Sequence, residues 1–96
     1  LITDAMRAKY LKNGTYTLGG QPVFVKGEKA VLEDGTIAGS ILKMNHAALN
    51  MMDFKGCSLE DIVYMTAVTP AKQLHVFDRK GSLRSGKDAD LIILNE

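Results

Sequence analysis

The residue best placed to do chemistry is Asp4. It closes the run Leu1-Ile2-Thr3-Asp4-Ala5-Met6, an apolar stretch that delivers one carboxylate to its C-terminal end before a polar segment begins. An α/β barrel places a catalytic acid this way, because the loops at the strand ends form a mouth over a packed core. The plainer reading of the same residue is an aspartate in a turn or a helix cap. A second candidate is the turn Ala38-Gly39-Ser40. A glycine beside a helix N-terminus lets backbone N–H groups approach a ligand, and the helix dipole favours an anion or a polar oxygen there. Alone the turn reads as an N-cap, whereas paired with a carboxylate at a strand end it makes a substrate edge.

Other groups carry less. Gly81-Ser82-Leu83-Arg84-Ser85-Gly86-Lys87 fits the first seven positions of a phosphate-binding loop, but Asp88 stands where Ser or Thr must hold magnesium. That segment also precedes an apolar stretch, whereas a phosphate-binding loop follows a strand and opens a helix. His46 and His75 form neither a His-x-His pair nor a His-Glu-x-x-His motif, and a zinc site needs three or four convergent ligands. Cys57 is a single cysteine without an internal partner, which favours a small, partly buried residue over a nucleophile. A Ser/His/Asp triad has no Gly-x-Ser-x-Gly elbow to support it.

The elements that must position these residues follow from pattern. Residues 1–4 read as a strand, and about 5–14 as a polar loop. From Thr15 the sequence alternates between apolar and polar, with Tyr16 and Leu18, Val23 and Val25, and Ala30 and Leu32 on the one face that packs, and turns at Gly19-Gly20, Lys26-Gly27-Glu28-Lys29 and Asp34-Gly35; this predicts a β-meander over 15–37. After Gly39 the period becomes helical. Ile41, Met44, Ala48, Met51 and Met52 share one stripe over 41–55, with Ser40 as the cap and Gly56 as the stop. Ser58-Leu59-Glu60-Asp61 opens a second helix, 59–68, that should stop before Pro70. Thr69 caps a third, 70–76, and Ala89 to Leu94 closes the chain as an apolar strand.

Ninety-six residues fit one module at most. A formal charge of +1 with dispersed basic residues excludes a nucleic-acid-binding surface, and no run approaches the roughly 20 apolar residues of a membrane span. One cysteine and no signal pattern lead us to expect a cytoplasmic protein. Opening on an apolar strand without Met, the chain reads as the later part of a longer one.

Taken together, Leu1-Ile2-Thr3-Asp4-Ala5-Met6, Asp34-Gly35-Thr36-Ile37-Ala38-Gly39-Ser40, Ser58-Leu59-Glu60-Asp61-Ile62, Thr69-Pro70-Ala71-Lys72-Gln73-Leu74 and Gly81 through Leu91 resemble the C-terminal part of the N-acetylglucosamine-6-phosphate deacetylases, within the amidohydrolases. The resemblance covers essentially the whole chain. The Gly86-Lys87-Asp88-Ala89-Asp90-Leu91 tail and the Pro70-Ala71 helix are shared with amidohydrolases at large, and the Thr-Asp-Ala-Met start and the Ala-Gly-Ser turn point to the deacetylases.

The resemblance implies an α/β fold, α+β for this stretch taken alone. Residues 1–80 would form the C-terminal part of a (β/α)8 barrel, with the meander as an insertion and the helices as outer layer. Residues 81–96 would supply the C-terminal strand of a small β-sandwich. By the same likeness Asp4 matches the catalytic aspartate, which takes a proton from the attacking water and returns it to the departing amine. Ala38, Gly39 and Ser40 match the substrate-contacting turn. The resemblance also implies a divalent metal of the zinc or iron type in the full-length enzyme, none of it held by this chain alone, because neither His46 nor His75 matches the family's ligands. It implies a sugar phosphate as substrate, a homo-oligomer, and no turnover from this chain by itself. Another amidohydrolase acting on a cyclic amide or imide, or a noncatalytic interaction module, stays open.

Overall fold

A computed structural model describes residues 1–94. The chain divides into two compact units, Leu1–Asn50 and the residues from Met51 onward, with the boundary inside one helix.

In the first unit three strands, β1 (Gly14–Leu18), β2 (Gln21–Lys26) and β3 (Lys29–Val31), form an antiparallel sheet in that order. Two-residue turns join them, with Leu18 opposite Gln21 and Lys26 opposite Lys29. Gly19 and Gly20 both take positive φ, which matches the right-handed twist of the flanking strands. Beyond β3 the chain reverses again: Leu32 and Thr36 are bonded across Asp34-Gly35, and Ile37 bridges back to Val31. One face of the sheet is covered. Val23, Val25 and Ala30 are buried there with Met6, Ala8 and Ala38, and Tyr16, Leu32 and Ile41 pack against them. Full burial of each valine stabilises the unit by about 1.5–3 kcal/mol.

Two expectations for this unit are corrected. Residues 1–4 form no strand; ladder contact begins at Ala5, which bridges Ser40 in parallel. A strand exists only where a neighbour supplies its hydrogen bonds, and Ser40 supplies them to the residues just after Asp4. Ser40 is also not a helix cap. Its hydroxyl accepts from the Leu42 N–H, two residues on, and helix α1 begins later, at Met44–Lys55, with the Lys43 carbonyl accepting from the Ala47 N–H. The side chain buried on α1 is Ala47, while Met44 and Met52 of the expected stripe are exposed. Helical spacing names an apolar face but not what covers it.

In the second unit α2 (Leu59–Val63) starts at a complete capping box. The Ser58 hydroxyl accepts from the Asp61 N–H at 3.1 Å, and the Asp61 carboxylate accepts from the Ser58 N–H at 2.8 Å. The helix then does not stop at Pro70. A π-helical turn, Tyr64–Val68, runs directly into α3 (Thr69–Gln73), and Val68 and Thr69 both have right-handed helical backbone, so Thr69 is no cap. Proline removes a donor and crowds the carbonyl four residues back. The wider turn, closed by the Thr69 N–H donating to the Tyr64 carbonyl five residues earlier, is the local accommodation. α3 ends sooner than residue 76, in a Schellman motif: His75 is left-handed (φ 56), its N–H donates to the Lys72 carbonyl, and the Val76 N–H donates to that of Ala71.

The segment resembling a phosphate-binding loop is a closed surface loop. The Asp88 N–H donates to the Arg79 carbonyl at 2.9 Å, and the Lys80 ammonium lies 2.8 Å from Asp88 while also pairing with Asp90. Lys87 donates to the carbonyls of Phe77 and Lys80 and stands 3.8 Å over the Phe77 ring. Its charge is therefore spent inside the loop. Ala89 to Leu94 form no strand, and Leu91 to Leu94 are exposed; a ladder partner for them is lacking among the described residues. The last two residues of the expected 81–96 sandwich segment lie outside the described ones.

Candidate active site

Asp4 and the Ala38-Gly39-Ser40 turn, far apart in sequence, are joined by backbone. The Met6 N–H donates to the Ser40 carbonyl at 2.8 Å, closing the Ala5–Ser40 bridge immediately after Asp4. On its other side the turn hangs from the sheet, where the Ala38 N–H donates to the Ala30 carbonyl at 2.9 Å. Asp4 itself is exposed, and its backbone is left-handed (φ 47). Aspartate is among the few non-glycine residues that visit this region, because its short polar side chain can bond locally. Just upstream, the Thr3 hydroxyl accepts from Lys9 at 3.4 Å.

The backbone of Gly39 requires glycine, and two side chains approach it. Its φ is 119, and a Cβ there would sit 3.2 Å from Leu18 Cδ2 and 3.7 Å from Met6 Sδ. The turn is thus clamped between a methionine just after Asp4 and a leucine at the end of β1. What results is an exposed aspartate beside a backbone turn, and a carboxylate so placed can exchange a proton with a molecule that binds there.

The other sequence candidates are not gathered here. His46 makes a surface pair with Glu28 at 3.4 Å, His75 occupies the left-handed end of α3, and Cys57 follows α1. Among the described residues, His, Cys, Asp and Glu nowhere form a group of three or more that could hold a metal ion. The donor set among the described residues therefore does not by itself fit a resident metal.

Sequence reasoning missed the residues that support the site. The Arg7 guanidinium donates to the Thr17 hydroxyl, tying the segment after Asp4 to β1. Leu18 lies on the same face as Tyr16, by strand alternation, and so reaches over Gly39. Alternation marked Leu18 as inward without saying what it touches. Tyr10, also left-handed, has the ammonium groups of Lys9 and Lys43 at 5.5 and 5.2 Å from its ring centre.

Shifted titrations lie outside the site. The Ser58 hydroxyl and N–H hold the Asp61 carboxyl below its usual range. The Thr36 N–H and hydroxyl do so for Asp34, and the Lys80 ammonium for Asp88. Hydrogen bonds to Asp88 and Asp90 raise Lys80.

Comparison with known proteins adds the decisive finding. The sequence pattern of the amidohydrolase family matches residues 20–96. The chain belongs to the amidohydrolase family. It is 59% identical, over 99% of its own length, to the N-acetylglucosamine-6-phosphate deacetylase of Bacillus subtilis (strain 168). Its backbone is similar to the crystal structure of N-acetylglucosamine-6-phosphate deacetylase from Pasteurella multocida, with a TM-score of 0.81 at 28% identity, over 92% of this chain and 23% of that one. It is also similar to the Thermotoga maritima deacetylase structure, with a TM-score of 0.78 at 38% identity, over 93% of this chain and 24% of that one. The chain spans about a quarter of these amidohydrolases, 24% of the Bacillus relative. No helix among the described residues is long and apolar enough to cross a membrane.

Proposed function

We propose that this chain is the C-terminal part of an enzyme that hydrolyses N-acetylglucosamine 6-phosphate to glucosamine 6-phosphate and acetate. The observation that carries the reading is the Ala5–Ser40 bridge, which sets Asp4 beside the Ala38–Ser40 turn. The names of the relatives supply the substrate class. In this reading residues 1–80 complete a (β/α)8 barrel and residues 81–96 join a small β-sandwich. The whole enzyme is a cytoplasmic homo-oligomer with a divalent metal of the zinc or iron type, held by residues other than those described here.

Asp4 is the proton-transfer group. Its carboxylate takes a proton from the water that attacks the acetamide carbonyl, and the resulting acid gives that proton to the amine nitrogen as the C–N bond breaks. One water is consumed, and the carboxylate is regenerated. The backbone of Ala38, Gly39 and Ser40 holds the sugar so that the carbonyl faces Asp4.

The test uses the full-length protein, with acetate release followed against N-acetylglucosamine 6-phosphate and a panel of cyclic amides and imides. Asp4→Asn should lower kcat by about 10²–10⁴-fold with little change in KM. Turnover of a cyclic amide in preference to the sugar phosphate would favour the wider amidohydrolase reading. Sustained turnover by the 96-residue chain alone, in any divalent metal, would overturn the assignment of metal binding to other residues.

A further inference from the structure

We infer that Leu18, at the tip of the β1–β2 hairpin, is a positioning residue for the Ala38-Gly39-Ser40 turn, and that the meander serves the site as a brace. The inference rests on the proposed deacetylase reading. Leu18 is the last residue of β1, held in register opposite Gln21 across a two-residue turn, so its backbone is fixed at the hairpin tip. Its Cδ2 stands 3.2 Å from where a Gly39 Cβ would be, a direct approach to the turn's backbone. On the opposite flank Met6 Sδ is at 3.7 Å from the same point, and Met6 is also the residue whose N–H bonds the Ser40 carbonyl.

The hairpin is in turn fixed to the Asp4 side of the site. Thr17, next to Leu18, accepts from Arg7, and the Tyr16 hydroxyl donates to the Lys12 carbonyl at 2.7 Å. Both anchors lie on the segment that leaves Asp4. The tip of the hairpin thus lies against the substrate turn while its strand is tied to the stretch carrying the acid. Leu18 is nonetheless 43% exposed, so it contributes less than a core leucine to stability and its removal need not unfold the unit. A loosened turn binds the sugar less well and leaves the proton-transfer group where it was.

The experiment compares Leu18→Ala and Leu18→Met with the unsubstituted full-length protein, measuring kcat, KM and the acid limb of the pH profile. Leu18→Ala should raise KM about tenfold, equivalent to about 1.4 kcal/mol of sugar binding, with kcat within about threefold and the acid limb unmoved. Leu18→Met, which keeps the reach of the side chain, should restore KM. A purely structural leucine would lower the amount of active enzyme, hence apparent kcat, at constant KM. Unchanged KM in an active Leu18→Ala protein, or failure of Met to rescue it, refutes the positioning role and leaves the deacetylase reading intact. Absence of deacetylation by the unsubstituted protein removes both.

Discussion

Gly81→Ala offers the sharpest check on the second unit. Gly81 has φ 80, and a Cβ built on it would lie 2.7 Å from Ala71 Cβ, 3.1 Å from the Ala67 carbonyl oxygen and 3.2 Å from Phe77 Cδ2. Left-handed backbone costs a residue with a Cβ about 1–2 kcal/mol. Forcing a methyl into a filled space costs about 1–3 kcal/mol more. Here the nearest atoms are a helical alanine and a backbone oxygen, neither of which can swing away. The total is about 2–5 kcal/mol. Native-state hydrogen exchange reads it locally, through the amides of Lys80 and Asp88 that close the loop onto Val76 and Arg79. Their protection should fall by at least about thirtyfold, at 1.4 kcal/mol per decade. Gly86→Ala is the control, because Gly86 has φ 87 but nothing within 4 Å of its Cβ position. It should show only the backbone part, about 1–2 kcal/mol. Adding Ala71→Gly to Gly81→Ala should recover part of the loss, despite the roughly 1 kcal/mol that a glycine costs in a helix. Equal effects of Gly81→Ala and Gly86→Ala, or no coupling to Ala71, would refute the packing argument.

Other outcomes follow from the same geometry. His75→Gly should stabilise the end of α3 by about 0.5–1 kcal/mol, since glycine meets the left-handed position without the cost to an L side chain; slower exchange at the Val76 amide checks it. Ser58→Ala should destabilise α2 by about 1 kcal/mol, seen as faster exchange at Asp61 and Ile62, because both halves of the capping box pass through Ser58. Asp34, Asp61 and Asp88 have folded pKa values lowered from 3.8, so their contribution is present above that value and is lost as pH falls through the lower folded values. Lys80 is raised above 10.5, so its contribution holds below that value and is lost as pH climbs past it. The stability deficit of Asp61→Asn relative to the parent should be greatest above pH 4 and shrink as pH falls below it; a deficit that does not change with pH would contradict the carboxylate part.

Local chemistry made much of the fold readable. Gly19-Gly20 and Gly27-Glu28 lie at the centres of their hairpins because positive φ at a two-residue turn belongs to glycine. Val23 and Val25 were legible as buried from alternation alone, and Ser58 with Asp61 as a helix start from their spacing. Each such signal spans a handful of residues and needs no distant partner. The helix through Pro70 was not legible, because the break that proline predicts is avoided by a π turn whose register the surrounding packing selects.

For the site, residue types and the family resemblance pointed to Asp4 together with Ala38, Gly39 and Ser40, but not to the backbone hydrogen bond that joins them. That is a tertiary fact: the Ser40 carbonyl accepts from Met6, so Ser40 completes a bridge rather than capping a helix. The same holds for Leu18, whose inward direction follows from strand alternation while its contact with Gly39 exists only once the hairpin folds over the turn. By itself the sequence determined which residues favour turns, caps and strands, since those preferences are settled by each residue's own sterics and its near neighbours. Only the tertiary structure decided which backbone groups meet across long loops, because hydrogen-bond partners there are chosen by the packing of the whole unit.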